Sequence, residues 1–265
     1  MVVDTNSFEG GTNGVAVSTA NSGGTSGTAF NAATAGLSFS STRAHGGTLS
    51  CTFTNPAATS YAAWYPGAAV NMQGRGYFWM DQANSGGEFH LIGIYEANGN
   101  GVILFRVAAS NILRLYKNIA PTSNTWAPTT TMPINQWIRA EVLVEQGTDT
   151  TNGRARAAIF ANNSTTPLAE SGWVTGLNLG AGTNTMAHVR FGKMGAGSNA
   201  TGVYMDDLEI RTGADYTGTW IGPTVLPVVS TAYRWNSGTS AYVPLDSYRW
   251  DVGTSAYVAL DRATP

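Results

Sequence analysis

Charged side chains are scarce in this chain, 11% of 265 residues, against a typical ~25% in soluble domains. Lysine is almost missing: two residues stand against twelve arginines, and the cations are scattered. Nucleic acid is held by clustered Lys and Arg that release counterions, so a nucleic-acid partner is not expected. Cysteine occurs once, at Cys51, which excludes an intrachain disulfide. Cys51 shares a strand face with Leu49 and Phe53 and reads as a small core residue. No apolar run approaches the ~20 residues that span a bilayer, so membrane insertion is not expected. Met1-Val2-Val3-Asp4 has neither a basic n-region nor an apolar h-region. The expectation is synthesis in the cytoplasm without a signal peptide.

Gly, Ala, Ser, Thr and Asn fill the place of the missing charge, while eight Trp, eleven Tyr and nine Phe supply a core. Short runs rich in β-branched and aromatic residues fall at 37–40, 49–54, 77–81, 89–96, 102–108 and 112–118. The later runs are separated by Asn-Ser-Gly-Gly at 84–87, Asn-Gly-Asn-Gly at 98–101 and Ala-Ser-Asn at 109–111, which read as hairpin turns. Residues 55–76, with two prolines and several aromatics, read as mixed strand and loop. In 135–145 the apolar Ile138, Ala140, Val142 and Val144 alternate with Arg139, Glu141 and Glu145, the period of a half-buried strand. Residues 154–162 should pair with it, and 188–193 and 203–211 close the domain. No long stretch has a period of 3.6, so little helix is expected.

The texture changes after Arg211. Residues 213–232 contain Gly222-Pro223 and Leu226-Pro227 and read as an extended linker. Beyond it, Tyr233-Arg234-Trp235-Asn236-Ser237-Gly238-Thr239-Ser240-Ala241-Tyr242-Val243-Pro244-Leu245-Asp246 recurs 15 residues later from Tyr248 to Asp261, with eleven of fourteen positions identical. Each copy reads strand, turn, strand. Two hairpins bury too little surface to stand alone. Residues 233–265, with Tyr233, Trp235, Tyr242, Tyr248, Trp250 and Tyr257 in register, are therefore expected to attach the chain to a neighbour or to a second copy.

Asn135-Gln136-Trp137-Ile138-Arg139-Ala140-Glu141, Val189-Arg190-Phe191-Gly192, Tyr204-Met205-Asp206-Asp207-Leu208-Glu209-Ile210 and the opening Asp4-Thr5-Asn6-Ser7-Phe8-Glu9-Gly10-Gly11 together resemble a concanavalin-A-like, laminin-G-like jelly roll. The resemblance spans roughly residues 4–212. With the Tyr-Arg-Trp repeat, the chain is similar to minor tail and surface proteins of tailed phages, especially those of actinobacteria. This implies an all-β concanavalin-A-like jelly-roll sandwich over 1–212 with a C-terminal β-hairpin appendage. It further implies a structural protein of the virion surface, a minor tail protein, that meets other virion proteins, self-associates, and contacts host-surface polysaccharide. Two alternatives stay open: a capsid decoration protein without a receptor role, and a secreted glycan-degrading or glycan-binding protein.

Glucanase relatives of this fold carry their acid and nucleophile on one strand as Glu-x-Asp-x-x-Glu. No such pattern occurs, Glu141 and Glu145 read as a solvated outer face, and the expectation is a chain that is not an enzyme. His45, His90 and His188 lack ligand spacing. Asp206 and Asp207 offer hard oxygen ligands, so calcium is the one cofactor considered, with none as the default. Strict alternation puts Asp206 on the apolar face with Leu208, where it needs a hydrogen-bonding partner such as Arg190 or a backbone turn. Trp64, Tyr65, Trp126 and Trp173 lie in or beside loops and are the candidates for stacking on sugar.

Overall fold

The computed structural model describes residues 2–54, 59–120, 122–180, 185–192 and 202–224, with the backbone of four strands between 233 and 259. Contacts divide the chain into two units, Met1–Thr224 and Val225–Pro265. The first is a β-sandwich of two antiparallel sheets. One has nine strands, ordered Pro167–Glu170, Gly153–Ala161, Ile138–Glu145, Asn71–Met80, Val203–Thr212, Ser50–Phe53 and Leu37–Ser40; Val2–Asn6 also pairs with Val203–Thr212, and Val174–Leu177 with Gly153–Ala161. The other has seven, ordered Ser123–Trp126, Leu113–Lys117, Gly101–Val107, Phe89–Glu96, Met186–Phe191, Ala62–Trp64 and Ala32–Ala33. The only helical elements among the described residues are two 3-10 turns, Ala109–Asn111 and Gly213–Asp215.

Alternation decides which side chains meet between the sheets. Ile138, Ala140, Val142 and Val144 are buried in the core with Phe78, Phe89, Ile92, Phe105, Val189 and Phe191. Cys51 joins them, as expected of it.

The strand Asn71–Met80 begins inside a stretch that reads as partly loop in the sequence. Its glycines explain the difference. A Cβ at Gly76 would lie 2.9 Å from Leu208 Cδ2, and one at Gly74 would lie 3.1 Å from Ile92 Cγ2. The glycines permit a close approach across the core rather than a turn.

Residues 213–224 are not a free linker. They run along the outer face of the nine-stranded sheet, and the first unit ends at Thr224 rather than near residue 212. Tyr216 Oη donates to Glu145 Oε1 at 2.9 Å, and Arg156 Nη2 donates to the Gly218 carbonyl at 2.7 Å. The amides of Ile221 and Gly222 donate to the two oxygens of Glu141 at 2.6 and 3.1 Å. Arg75 Nη1 reaches the Gly222 carbonyl at 3.0 Å, and the Thr224 amide reaches Tyr77 Oη at 3.0 Å. This strap overturns the reading of Glu141 as solvated: its side chain is wholly buried.

In the second unit, Tyr233–Asn236 pairs with Ala241–Pro244 and Tyr248–Asp251 pairs with Ala256–Ala259, both antiparallel. The registers match, with Trp235 opposite Tyr242 and Trp250 opposite Tyr257. The side chains of Tyr233, Trp235, Tyr242, Tyr248, Trp250 and Tyr257, which carry the expected attachment role, lie outside the described residues.

Candidate functional site

The outer face of the seven-stranded sheet gathers aromatic rings around one guanidinium. On Met186–Phe191, Met186, Val189 and Phe191 point into the core, which turns His188 and Arg190 outward. Register places Arg190 opposite Gly93 on one side and Ala63 on the other, and His188 opposite Tyr95. Gly93 and Ala63 raise no bulk beside Arg190, which leaves its guanidinium room next to two phenol rings. It stands 4.1 Å from the Tyr95 ring centroid and 4.7 Å from that of Tyr61. Tyr65 tilts against the His188 ring at 4.0 Å and is 39% exposed, enough to present its other side to a ligand. Farther along the same face, Arg106 lies 3.8 Å over Tyr116 and pairs with Glu88.

The rings around Arg190 carry no charge of their own at neutral pH. Burial, then the Arg190 charge, holds the His188 imidazole below its ordinary range. Burial pushes the Tyr65 and Tyr95 phenols up. Imidazole and phenols are therefore neutral at pH 7. Arg106 and Arg114 share Glu88, whereas no carboxylate pairs with Arg190 among the described residues. Its Nε and the Nδ1 of His188 have no hydrogen-bond partner among the described residues. An unpaired guanidinium framed by rings suits an anionic, partly apolar ligand.

Of the four aromatics proposed from sequence, only Tyr65 belongs to this face. Trp64, the next residue, points the other way. It is 1% exposed, packs 4.8 Å from Phe30 and 5.7 Å from Phe191, and donates its Nε1 to the Ala29 carbonyl at 3.1 Å. A sugar cannot reach it, and its glycan role is corrected to core packing. Trp126 is half-buried with its ring 6.3 Å from Phe105. Trp173 lies on the other sheet, against the guanidinium groups of Arg154 and Arg156 at 4.3 and 4.8 Å. The sequence reading missed Arg190, Tyr61 and Tyr95. The alternation of His188 and Arg190 with Val189 and Phe191 was the available signal.

Asp206 and Asp207 form a separate cluster with His45. A bulge between Asp206 and Glu209, with Asp207 at φ 46°, breaks the strict alternation. Asp206 therefore does not share the core face with Leu208. Its carboxylate accepts the amides of His45 at 2.8 Å, Gly46 at 3.4 Å and Asp207 at 2.8 Å, so a backbone turn and not Arg190 is its partner. Burial, then the neighbouring Asp207, pushes the Asp206 carboxyl well above the usual range. Asp207 Oδ2 lies 2.6 Å from His45 Nδ1, and His45 Nε2 lies 2.7 Å from Asn162 Oδ1. The His45 ring stacks on Tyr77 at 3.6 Å. These partners occupy the carboxylates, and no three His, Cys, Asp or Glu side chains converge as a metal site among the described residues.

No protein-family description matches the sequence, and no curated protein does. Solved structures similar to the chain include a Trypanosoma rangeli sialidase, at 13% identity and a TM-score of 0.46 over 80% of this chain and 31% of that one. A protein of unknown function from Shewanella oneidensis is similar at 14% identity and 0.48, over 79% and 85%. A cellulose-induced protein is similar at 16% and 0.41, over 67% and 85%. The chain spans less than a third of the sialidase's length. The expectation of a chain that is not an enzyme is withdrawn, since the similar structures include sialidases; the likeness concerns the fold alone and assigns no activity in its place.

Proposed function

We propose that the sandwich is a jelly roll that binds acidic saccharide through the Tyr61–Tyr65–Tyr95–His188–Arg190 face, on the surface of a phage particle. The observation that carries the reading is the Arg190 guanidinium, held between Tyr61 and Tyr95 with no carboxylate partner among the described residues and set beside the exposed Tyr65. Aromatic faces stack on the C–H surfaces of sugar rings, and a guanidinium takes a carboxylate or phosphate bidentately. A uronate or a phosphate-bearing wall polymer supplies both. The resemblance to phage tail proteins and the tandem Tyr-Arg-Trp repeat support placement on a virion, with residues 233–265 as the attachment or self-association element.

Two experiments test this. Titration calorimetry of the full chain should show binding to acidic wall polysaccharide and little to its neutral counterpart. R190Q should weaken that binding at least tenfold without changing the melting temperature by more than a few degrees. Equal binding of both polymers, or an unaffected R190Q, would refute the glycan reading. Mass spectrometry of purified virions tests the location separately, and absence of the chain from particles ends the virion reading.

A further inference from the structure

We propose that the cleft at the tip of the hairpin formed by Phe89–Glu96 and Gly101–Val107 is a divalent-cation site of the calcium class. Glu96 is its charged ligand, and the side-chain amide oxygens of Asn98, Asn100 and Asn118 are its neutral ones. The cleft has a volume of about 340 Å³, and these four residues line it. Glu96 is 3% exposed, yet its Oε2 has no hydrogen-bond partner among the described residues. No Lys or Arg pairs with Glu96 among the described residues. A carboxylate oxygen withdrawn from water without a donor or a cation is costly. A bound cation removes that cost.

The loop already has its shape. The Gly99 amide donates to the Glu96 carbonyl at 3.0 Å, and the Glu96 amide to the Asn100 carbonyl at 2.9 Å. The Asn100 amide donates to Asn98 Oδ1 at 2.8 Å. Asn118 Nδ2 is turned to the Gly101 carbonyl at 3.4 Å, which leaves its Oδ1 unused in that bond. Gly99, at φ 87°, makes the turn possible. The fold therefore presents oxygen ligands on residues 96, 98 and 100 with glycine at 101. That is the alternation used at the first, third, fifth and sixth places of calcium-binding loops. Neutral amides and one carboxylate are hard donors, and the cleft offers no thiolate or imidazole for a softer metal. With a single formal charge, affinity should be on the order of 10⁻⁴–10⁻³ M, the range of extracellular calcium modules. The volume leaves room for retained water. The site stands apart from the saccharide reading, although the loop abuts it: a Cβ at Gly99 would lie 3.2 Å from Arg190 Nη2.

The test is calcium titration of the chelator-stripped full chain by calorimetry, with thermal melts alongside. One site saturating in the millimolar range is expected, with a melting temperature raised by a few degrees and weaker binding of magnesium. E96Q and N100A should each weaken calcium binding at least tenfold. D149N, which neutralises an exposed carboxylate elsewhere, should bind as the wild type does. Asn100 is exposed, so if E96Q fails to fold, N100A decides alone. The absence of saturable calcium binding up to tens of millimolar overturns the proposal, as does unchanged binding in both cleft variants.

Discussion

The Arg139 guanidinium and the Glu141 carboxylate, two residues apart on one strand, lie 2.8 Å from each other and are both sealed from solvent. Burial pushes the Glu141 carboxyl above its ordinary range even with Arg139 beside it. What makes the burial tolerable is full satisfaction: Glu141 takes the Ile221 and Gly222 amides, while Arg139 reaches the Asn162 carbonyl at 3.2 Å and lies 4.1 Å over Phe160. Removing one partner of such a pair leaves an uncompensated buried charge and costs about 3–5 kcal/mol. Glu141→Ala should therefore lose about that much stability in urea unfolding. A loss below about 1 kcal/mol, the scale of an exposed pair, would mean that water reaches Arg139.

The strap over this pair makes truncation sensitive to where the chain is cut. A protein of residues 1–224 keeps every hydrogen bond between the strap and the sheet and should melt close to the full chain. A protein ending at 212 exposes Glu141, Arg75 and Arg156 and removes Trp220, which packs edge-on 5.9 Å from Phe160. It should melt many degrees lower, because several bonds to charged groups, worth ~1.5–3 kcal/mol each, are lost together. Equal melting of the two proteins would reduce the strap to a surface ornament.

Much of the sandwich was legible because its strands are dense in β-branched and aromatic residues, and Ile138–Glu145 also alternates strictly. Phe89–Glu96, read as an apolar run, the alternating Ile138–Glu145 and its expected partner Gly153–Ala161 lie within a residue or so of where the sequence puts them. Legibility failed where a local feature outweighed periodicity. Gly74 and Gly76 look like loop residues because sequence alone does not reveal what packs against them. The bulge at Asp207 reverses the side on which Asp206 falls, and nothing in the neighbouring residues announces it. Short edge strands such as Ala32–Ala33 and Val174–Leu177 carry almost no pattern of their own. At the candidate site, Tyr65 was visible as an aromatic beside a loop, but Tyr61, Tyr95 and Arg190 meet only through pairing between distant strands.

Adjacent residues Trp64 and Tyr65 should behave oppositely. Trp64 fills the core between Phe30 and Phe191, and truncation of a buried Trp to Ala typically costs about 3–5 kcal/mol. Trp64→Ala should show that loss in denaturant unfolding. Tyr65 has one side in solvent, so Tyr65→Ala should cost under about 1 kcal/mol and weaken saccharide binding severalfold. Comparable destabilisation by both substitutions would show that Tyr65 is a packing residue.

His90 lies opposite Arg106 on the neighbouring strand, with Glu88 and Arg114 also on that side, and its Nδ1 is buried without a partner. Burial, then the Arg106 charge, pushes its imidazole down from 6.5 to about 4. In the unfolded chain the ring takes up its proton near the ordinary value, so between pH 6.5 and 4 the unfolded state binds more protons than the folded one. Stability therefore rises with pH across that window and falls as the solution is acidified through it. The difference between 6.5 and about 4, at ~1.36 kcal/mol per unit, sets a loss of up to about 3 kcal/mol. Urea midpoints measured at several pH values should trace this slope in the wild type. His90→Gln keeps a polar side chain but has no proton to gain, and its profile should be flatter by that amount. Parallel profiles for the two proteins would assign the acid sensitivity to groups other than His90.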